Sequence, residues 1–195
     1  MGSYNIEGIG NAVTSFDTGA VRDIQEDKGR CDLMPLAVIG DLYTLYICTK
    51  VEFANKYTTT EHINEVFRNI NEYIYEGCTD NLLYAICHFL AVESSKGGDT
   101  AQFDDMLLDL SKHYKHGLEK YGLRNWEKGI PCHSFIDSGT RHFIKHIFGH
   151  TDERHDIAFI WNLIGCVHTQ NYISKHIDNK QSILDLPCHK IKEED

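Results

Sequence analysis

The sequence predicts an all-α protein: a helical bundle with a glycine-rich N-terminal arm and an inserted helical pair. Three observations carry this expectation. Apolar residues recur at intervals of three and four along most of the chain, period-two alternation is scarce, and the 195 residues contain three prolines and no Asn-Gly hairpin signal.

Residues 1 to 35 hold five of the fifteen glycines and no helical apolar period, so they read as an arm or lid shaped by packing on the remainder. Pro35 stands where a first-turn proline is tolerated, and dense apolar sequence from Leu36 to about Asn55 predicts the first helix. Thr60 reads as the N-cap of a second, whose Ile63, Phe67, Ile70 and Ile74 run to Gly77. Thr79 or Asp80 reopens a helix through about Glu93. Ser94 to Thr100, with Gly97-Gly98, is the clearest linker. Beyond it Phe103, Met106, Leu107, Leu110, Tyr114 and Leu118 form a stripe that stops at Gly122. Two more helices are expected, from about Ser134 to Phe148 and from about Glu153 to Ser174. The second carries Ile157, Ile160, Trp161, Leu163, Ile164 and Val167, apolar nearly all round, which marks a central helix. Lys190 to Asp195 form a charged tail. One domain over 1–195 is expected, divided into the arm (1–35), the inserted helices (about 41–100) and a motif-bearing core (101–177).

The chain is 42% hydrophobic and 25% charged, with no apolar run of membrane-spanning length and no basic leader before an apolar segment, which points to the cytoplasm. A formal net charge of −10 argues against capture of a nucleic-acid polymer. It leaves room for a small phosphate ligand, because cations cluster at Arg22, at Lys28 with Arg30, and at Lys120 with Arg124 and Lys128. Seven cysteines without CxxC spacing fit reduced thiols.

The segment Gly117 to Gly129 strings Lys120, Tyr121, Arg124, Asn125 and Trp126 along a turn. An arginine forks two hydrogen bonds to phosphate, a lysine adds a point charge, and an indole either stacks a base or plugs the loop into the core. Arg22 and Arg30, beside Gly19 and Gly29, offer a second anion-binding segment or a solvated strap. In the helix after Ser134, Asp137 and Arg141 have ion-pair spacing. His142 and His146 have chelating spacing, but lie about 140° round the helix from Asp137 and lack both the adjacent Glu of the zinc-protease pattern and an obvious third ligand. His155 and Asn162 share one line of the central helix and need polar partners or a ligand cavity. Glu153 and Asp156 have the ExxD spacing that turns two carboxylates towards a divalent cation or simply favours a helix N-terminus.

Four segments together resemble the N-terminal domain family of phage dATP/dGTP diphosphohydrolases: TGAVRD with KGRCDLMP, HGLEKYGLRNWEKG, IDSGTRH and HDIAFIWN. The resemblance covers the first 35 residues and roughly 103 to 168, and relates the chain to MazG-like nucleotide pyrophosphohydrolases. It implies an α-helical nucleotide-binding fold in a phage setting, hence the host cytoplasm, and hydrolysis of a purine deoxynucleoside triphosphate to the monophosphate and pyrophosphate. The nucleotide would be held by Arg22, Lys28, Arg30, Lys120, Arg124, Asn125 and Trp126, with His155 and Asn162 facing the cavity. Magnesium would be held by Glu153, Asp156 and Asp137. No catalytic residue is assigned. The chain departs from MazG-like enzymes in lacking an evident ExxE partner for Glu153 and Asp156, so the alternative is a binder that sequesters a host nucleotide signal, such as a cyclic nucleotide. A homo-oligomer is expected from Phe53, Tyr57, Tyr73 and Tyr75, which read as exposed aromatics.

Overall fold

A computed structural model describes residues 3–4, 13–23, 28–95 and 101–190. The glycine linker at Gly97-Gly98, the last five residues of the charged tail, and arm residues 5–12 and 24–27 lie outside them. The described residues form a helical bundle of α1 (Leu36–Lys56), α2 (Thr59–Glu76), α3 (Thr79–Ser95), α4 (Ala101–Tyr121), α5 (Cys132–Ile147), α6 (His155–Asn171) and the single turn α7 (Pro187–Lys190).

The helix boundaries follow local chemistry. The N-cap of α2 lies two residues before the expected one, because Thr58 rather than Thr60 has a glutamate three positions on. The Thr58 hydroxyl accepts from the Glu61 amide while the Glu61 carboxylate accepts from the Thr58 amide at 2.7 Å. Gly77 closes the helix with φ 74°, a left-handed conformation that glycine adopts without steric cost. Helix α6 ends earlier than expected, at Asn171, and the chain tightens into a 3-10 turn at Ile173–Lys175.

The arm is not wholly irregular. Strands β1 (Ser3–Tyr4), β2 (Val13–Ser15) and β3 (Val21–Asp23) form a small antiparallel meander, one strand beyond a hairpin, where the scarce alternation predicts no sheet larger than a hairpin. Residues 28 to 34 then lie on α4, where the Arg30 amide donates to the Ser111 carbonyl at 3.0 Å. A Cβ at Gly29 would fall 2.6 Å from the Ser111 carbonyl carbon, so only glycine permits this approach. Leu33 and Met34 are buried as a result.

Helix α6 is central, as its all-round apolar sequence predicts: it packs on α3, α4 and α5, and α3 packs in turn on α1 and α2. The α5–α6 contact is close because two glycines face bulky neighbours, Gly139 against Leu163 and Gly165 against the Phe135 ring. Helix α3 contributes Leu82, Leu83, Ile86, Phe89 and Leu90 to the same hydrophobic core as α4, α5 and α6. Two of the four aromatics expected on the surface belong to this core as well. Tyr73 is fully buried, with its hydroxyl donating to Gln170 Oε1 at 2.7 Å, and Phe53 is buried in a stack on His88, so only Tyr75 is openly exposed. Both sit on the inner stripes of amphipathic helices, and their aromatic character alone did not say so. No helix among the described residues is long and apolar enough to cross a membrane.

Candidate functional site

A cleft of about 510 Å³ opens between the C-terminal half of α4, the turn after it, and the facing sides of α5 and α6. This volume falls in the range of small-molecule sites. Each wall has a different chemistry.

The outer wall is the turn 122–129. Gly122 (φ 91°) and Gly129 (φ 101°) bracket it, and Arg124 itself adopts φ 50°. Arg124 is the one non-glycine residue in the left-handed region among those described, a conformation that costs about 1 to 2 kcal/mol. Its side chain holds the turn closed, donating through Nη1 to Glu127 Oε1 and through Nη2 to the Asp32 carbonyl at 2.7 Å. Arg124, with Lys120 in the last turn of α4 beside it, gives this side of the cleft positive charge.

The floor is aromatic. Trp126 is 7% exposed and meets Tyr114 edge-on, with ring centroids 5.5 Å apart. Trp161 borders the same space and lies 5.7 Å from the His113 ring. The indole is therefore both things the sequence left open, a core plug and a cleft wall. Buried Trp126 Nε1 and Tyr114 Oη have no hydrogen-bond partner, and each residue lines the cleft. Two unsatisfied polar atoms in a buried floor cost about 1 to 3 kcal/mol each unless something polar enters.

The far wall carries titratable groups. His142 and His113 are both pushed below the usual histidine range by burial. Close packing at Gly139 sets His142, one turn later on α5, against His155 in the first turn of α6, with Nδ1 atoms 2.9 Å apart. Glu153 Oε1 lies 3.5 Å from each of these nitrogens, and Asp152 Oδ1 accepts from His155 Nε2 at 2.9 Å. His142, Glu153 and His155 form one cluster able to hold a metal ion, the sole such group among the described residues. His142 thus finds its fellow donors across the helix pair, in Glu153 and His155, and not in His146 on its own helix. His146 instead bonds Glu93 on α3 at 2.9 Å.

Of the nine residues expected at the nucleotide, Lys120, Arg124, Asn125, Trp126 and Asn162 line the cleft. Asn162 is buried, its amide donating to the Ala158 carbonyl at 2.7 Å. His155 sits behind the wall and reaches it through His142 and Glu153. Arg22, Lys28 and Arg30 are not among the lining residues; Arg30 is forked onto Asp32, and the arm reaches the cleft through Leu33. Of the three carboxylates expected at magnesium, only Glu153 borders the cleft. Asp137 pairs with Arg141 on the surface, and Asp156 accepts from Arg154, which also bridges to Asp109 on α4 at 2.8 Å. His113 and Trp161 also line the cleft, although helical periodicity alone makes each look like core or surface, and His142, which the sequence pairs only with His146, lines it too.

The fold and cleft together define an α-helical protein with a cleft of small-molecule size, lined by cations and aromatic rings. Residues 88–180 match the family described as dATP/dGTP diphosphohydrolase, N-terminal, a family of nucleotide hydrolases by that description. The match covers just under half of the chain. It contains every lining residue of the cleft except Leu33, and leaves out the arm residues Arg22, Lys28 and Arg30. No curated protein and no solved structure matches the chain.

Proposed function

We propose that the cleft binds a purine deoxynucleoside triphosphate and that the protein hydrolyses it to the monophosphate and pyrophosphate. The observation that carries this reading is the joint lining of one cleft by Lys120, Arg124, Trp126 and Trp161, all within the family-matched stretch. The cations attract phosphate and the aromatic floor accepts a base. Magnesium enters this reading on the phosphates of the nucleotide, which supply most of its oxygen ligands. A three-carboxylate cage of Asp137, Glu153 and Asp156 does not fit, since two of the three are held in ion pairs elsewhere.

That same observation favours a second reading, in which the protein holds a nucleotide signal such as a cyclic nucleotide without cleaving it. Incubation with canonical and cyclic nucleotides plus magnesium, followed by chromatography before and after heat denaturation, separates the two. New monophosphate and pyrophosphate support hydrolysis; intact ligand released only by heating supports sequestration. A panel returned unbound and uncleaved removes both.

The chain also acts, in this reading, as a homodimer. Leu36, Tyr43, Ile47 and Val51 are exposed at helical spacing along α1, an apolar stripe that a second copy would cover. Light scattering should give a dimer for the wild type and a monomer for Ile47→Lys; a monomeric wild type at micromolar concentration would count against it.

A further inference from the structure

We infer that His142, Glu153 and His155 bind a divalent transition-metal ion of the zinc, cobalt or manganese type, with Asp152 as the residue that positions His155. The geometry argues for it first. The two Nδ1 atoms are 2.9 Å apart and Glu153 Oε1 is 3.5 Å from both, so a point exists about 2 Å from all three atoms, the bond length of zinc to imidazole nitrogen and carboxylate oxygen. Ligand chemistry argues next. Two nitrogens and one oxygen suit zinc, cobalt or manganese, whereas magnesium asks for an all-oxygen shell.

The surroundings complete the pattern. His155 is 1% exposed, and Asp152 takes a hydrogen bond from its Nε2, which leaves the Nδ1 lone pair free for a metal. Lys145 holds the other oxygen of Asp152 at 2.9 Å, fixing the carboxylate in turn. His142 and Glu153 both border the cleft, so a fourth coordination position opens into it, as in catalytic rather than structural zinc sites. A second histidine pair in the protein shows what an ordinary contact looks like. His62 and His88 approach through Nδ1 at 2.8 Å, but their nearest carboxylate, on Glu65, lies 4.0 Å from the opposite nitrogen of His88.

Metal binding as such does not depend on the nucleotide reading. What the ion does at the open position does, and there it would take a phosphate oxygen or a water. The test therefore omits nucleotide. Untagged protein, stripped with chelator and dialysed, is titrated with cobalt, zinc, manganese and magnesium chlorides by calorimetry, and the cobalt sample is followed by visible absorption. One cobalt or zinc per chain is expected, at least a hundredfold tighter than magnesium, with a visible cobalt band. Glu153→Gln, at an exposed position, should weaken binding tenfold or more with helicity unchanged, and His142→Ala should abolish the cobalt band. Asp152→Asn should weaken binding about tenfold to a hundredfold. His146→Ala should leave it intact. Absence of cobalt and zinc binding, or wild-type affinity in folded Glu153→Gln and His142→Ala, overturns the site. A protein that binds cobalt or zinc here but neither holds nor cleaves any nucleotide of the separate panel would overturn only the nucleotide reading.

Discussion

Arg124 Nη2 donates to the backbone carbonyl of Asp32 at 2.7 Å, across 92 residues of sequence, and so ties the cleft turn to the end of the arm. The same guanidinium closes the turn on Glu127, which leaves the remaining N–H groups of its five for a ligand. Arg124→Ala should therefore weaken the best nucleotide by about 1.5 to 3 kcal/mol, roughly tenfold to more than a hundredfold, and increase proteolysis of the arm. Calorimetry and limited trypsin digestion read the two effects. Unchanged affinity in a folded mutant would remove the turn from the site.

The glycines at the α5–α6 contact should respond differently from one on an open helix face. A Cβ at Gly165 would lie 2.6 Å from Phe135 Cε1, against a rigid buried ring, so Gly165→Ala should destabilise the protein by about 1 to 3 kcal/mol. Gly40 in α1 has open space around it, and Gly40→Ala should stabilise by about 0.5 to 1 kcal/mol through helix propensity. Urea denaturation midpoints test the contrast. Equal shifts would contradict the packing.

Acid should destabilise the fold through the His62–His88 pair. Burial lowers both, and His88 is pushed down to about 4, whereas the unfolded chain takes up these protons near the ordinary pH of about 6.5. The unfolded state then binds more protons in between, so stability is full above about pH 6.5 and is lost as the pH falls to about 4. The contribution of His88 is no more than about 3 kcal/mol. His88→Gln should flatten part of the slope in denaturation measured from pH 7 to 4.5; an identical slope would mean that this imidazole is not desolvated.

Thiol accessibility gives a separate check on the core. Cys31, Cys48 and Cys78 are exposed, while Cys87, Cys132 and Cys166 are buried, and burial drives the Cys87 thiol up to about 12. A thiol-specific reagent at neutral pH should label the first three rapidly, Cys188 more slowly, and the buried three only on unfolding. Rapid labelling of all seven would show that the bundle opens readily.

Much of the site was legible because it lies in one stretch of sequence. The run from Lys120 to Trp126 announced itself as cations and an indole between glycines, and those residues do line a cleft. The arm cations Arg22, Lys28 and Arg30 carried the same compositional signal, yet they fall outside that lining. Composition marks where charge can bind an anion, and the three-dimensional path of the chain decides whether it meets the cavity. Asp156 shows the same gap at shorter range: its spacing from Glu153 suited a cation, but Arg154, two residues away, takes it into an ion pair.

By itself the sequence determined the helices, the central place of α6, the turn that forms the outer wall and the lack of a large sheet among the described residues, because these follow from local periodicity, capping and glycine. The tertiary structure alone decided which histidines meet. His142 and His146 are neighbours on one helix face in sequence terms, but the α5–α6 crossing at Gly139 and Gly165 brings His142 to His155 and Glu153 and leaves His146 to Glu93. Helical spacing fixes the relation of side chains on one helix, whereas the relation between helices is fixed by how closely their backbones can pack.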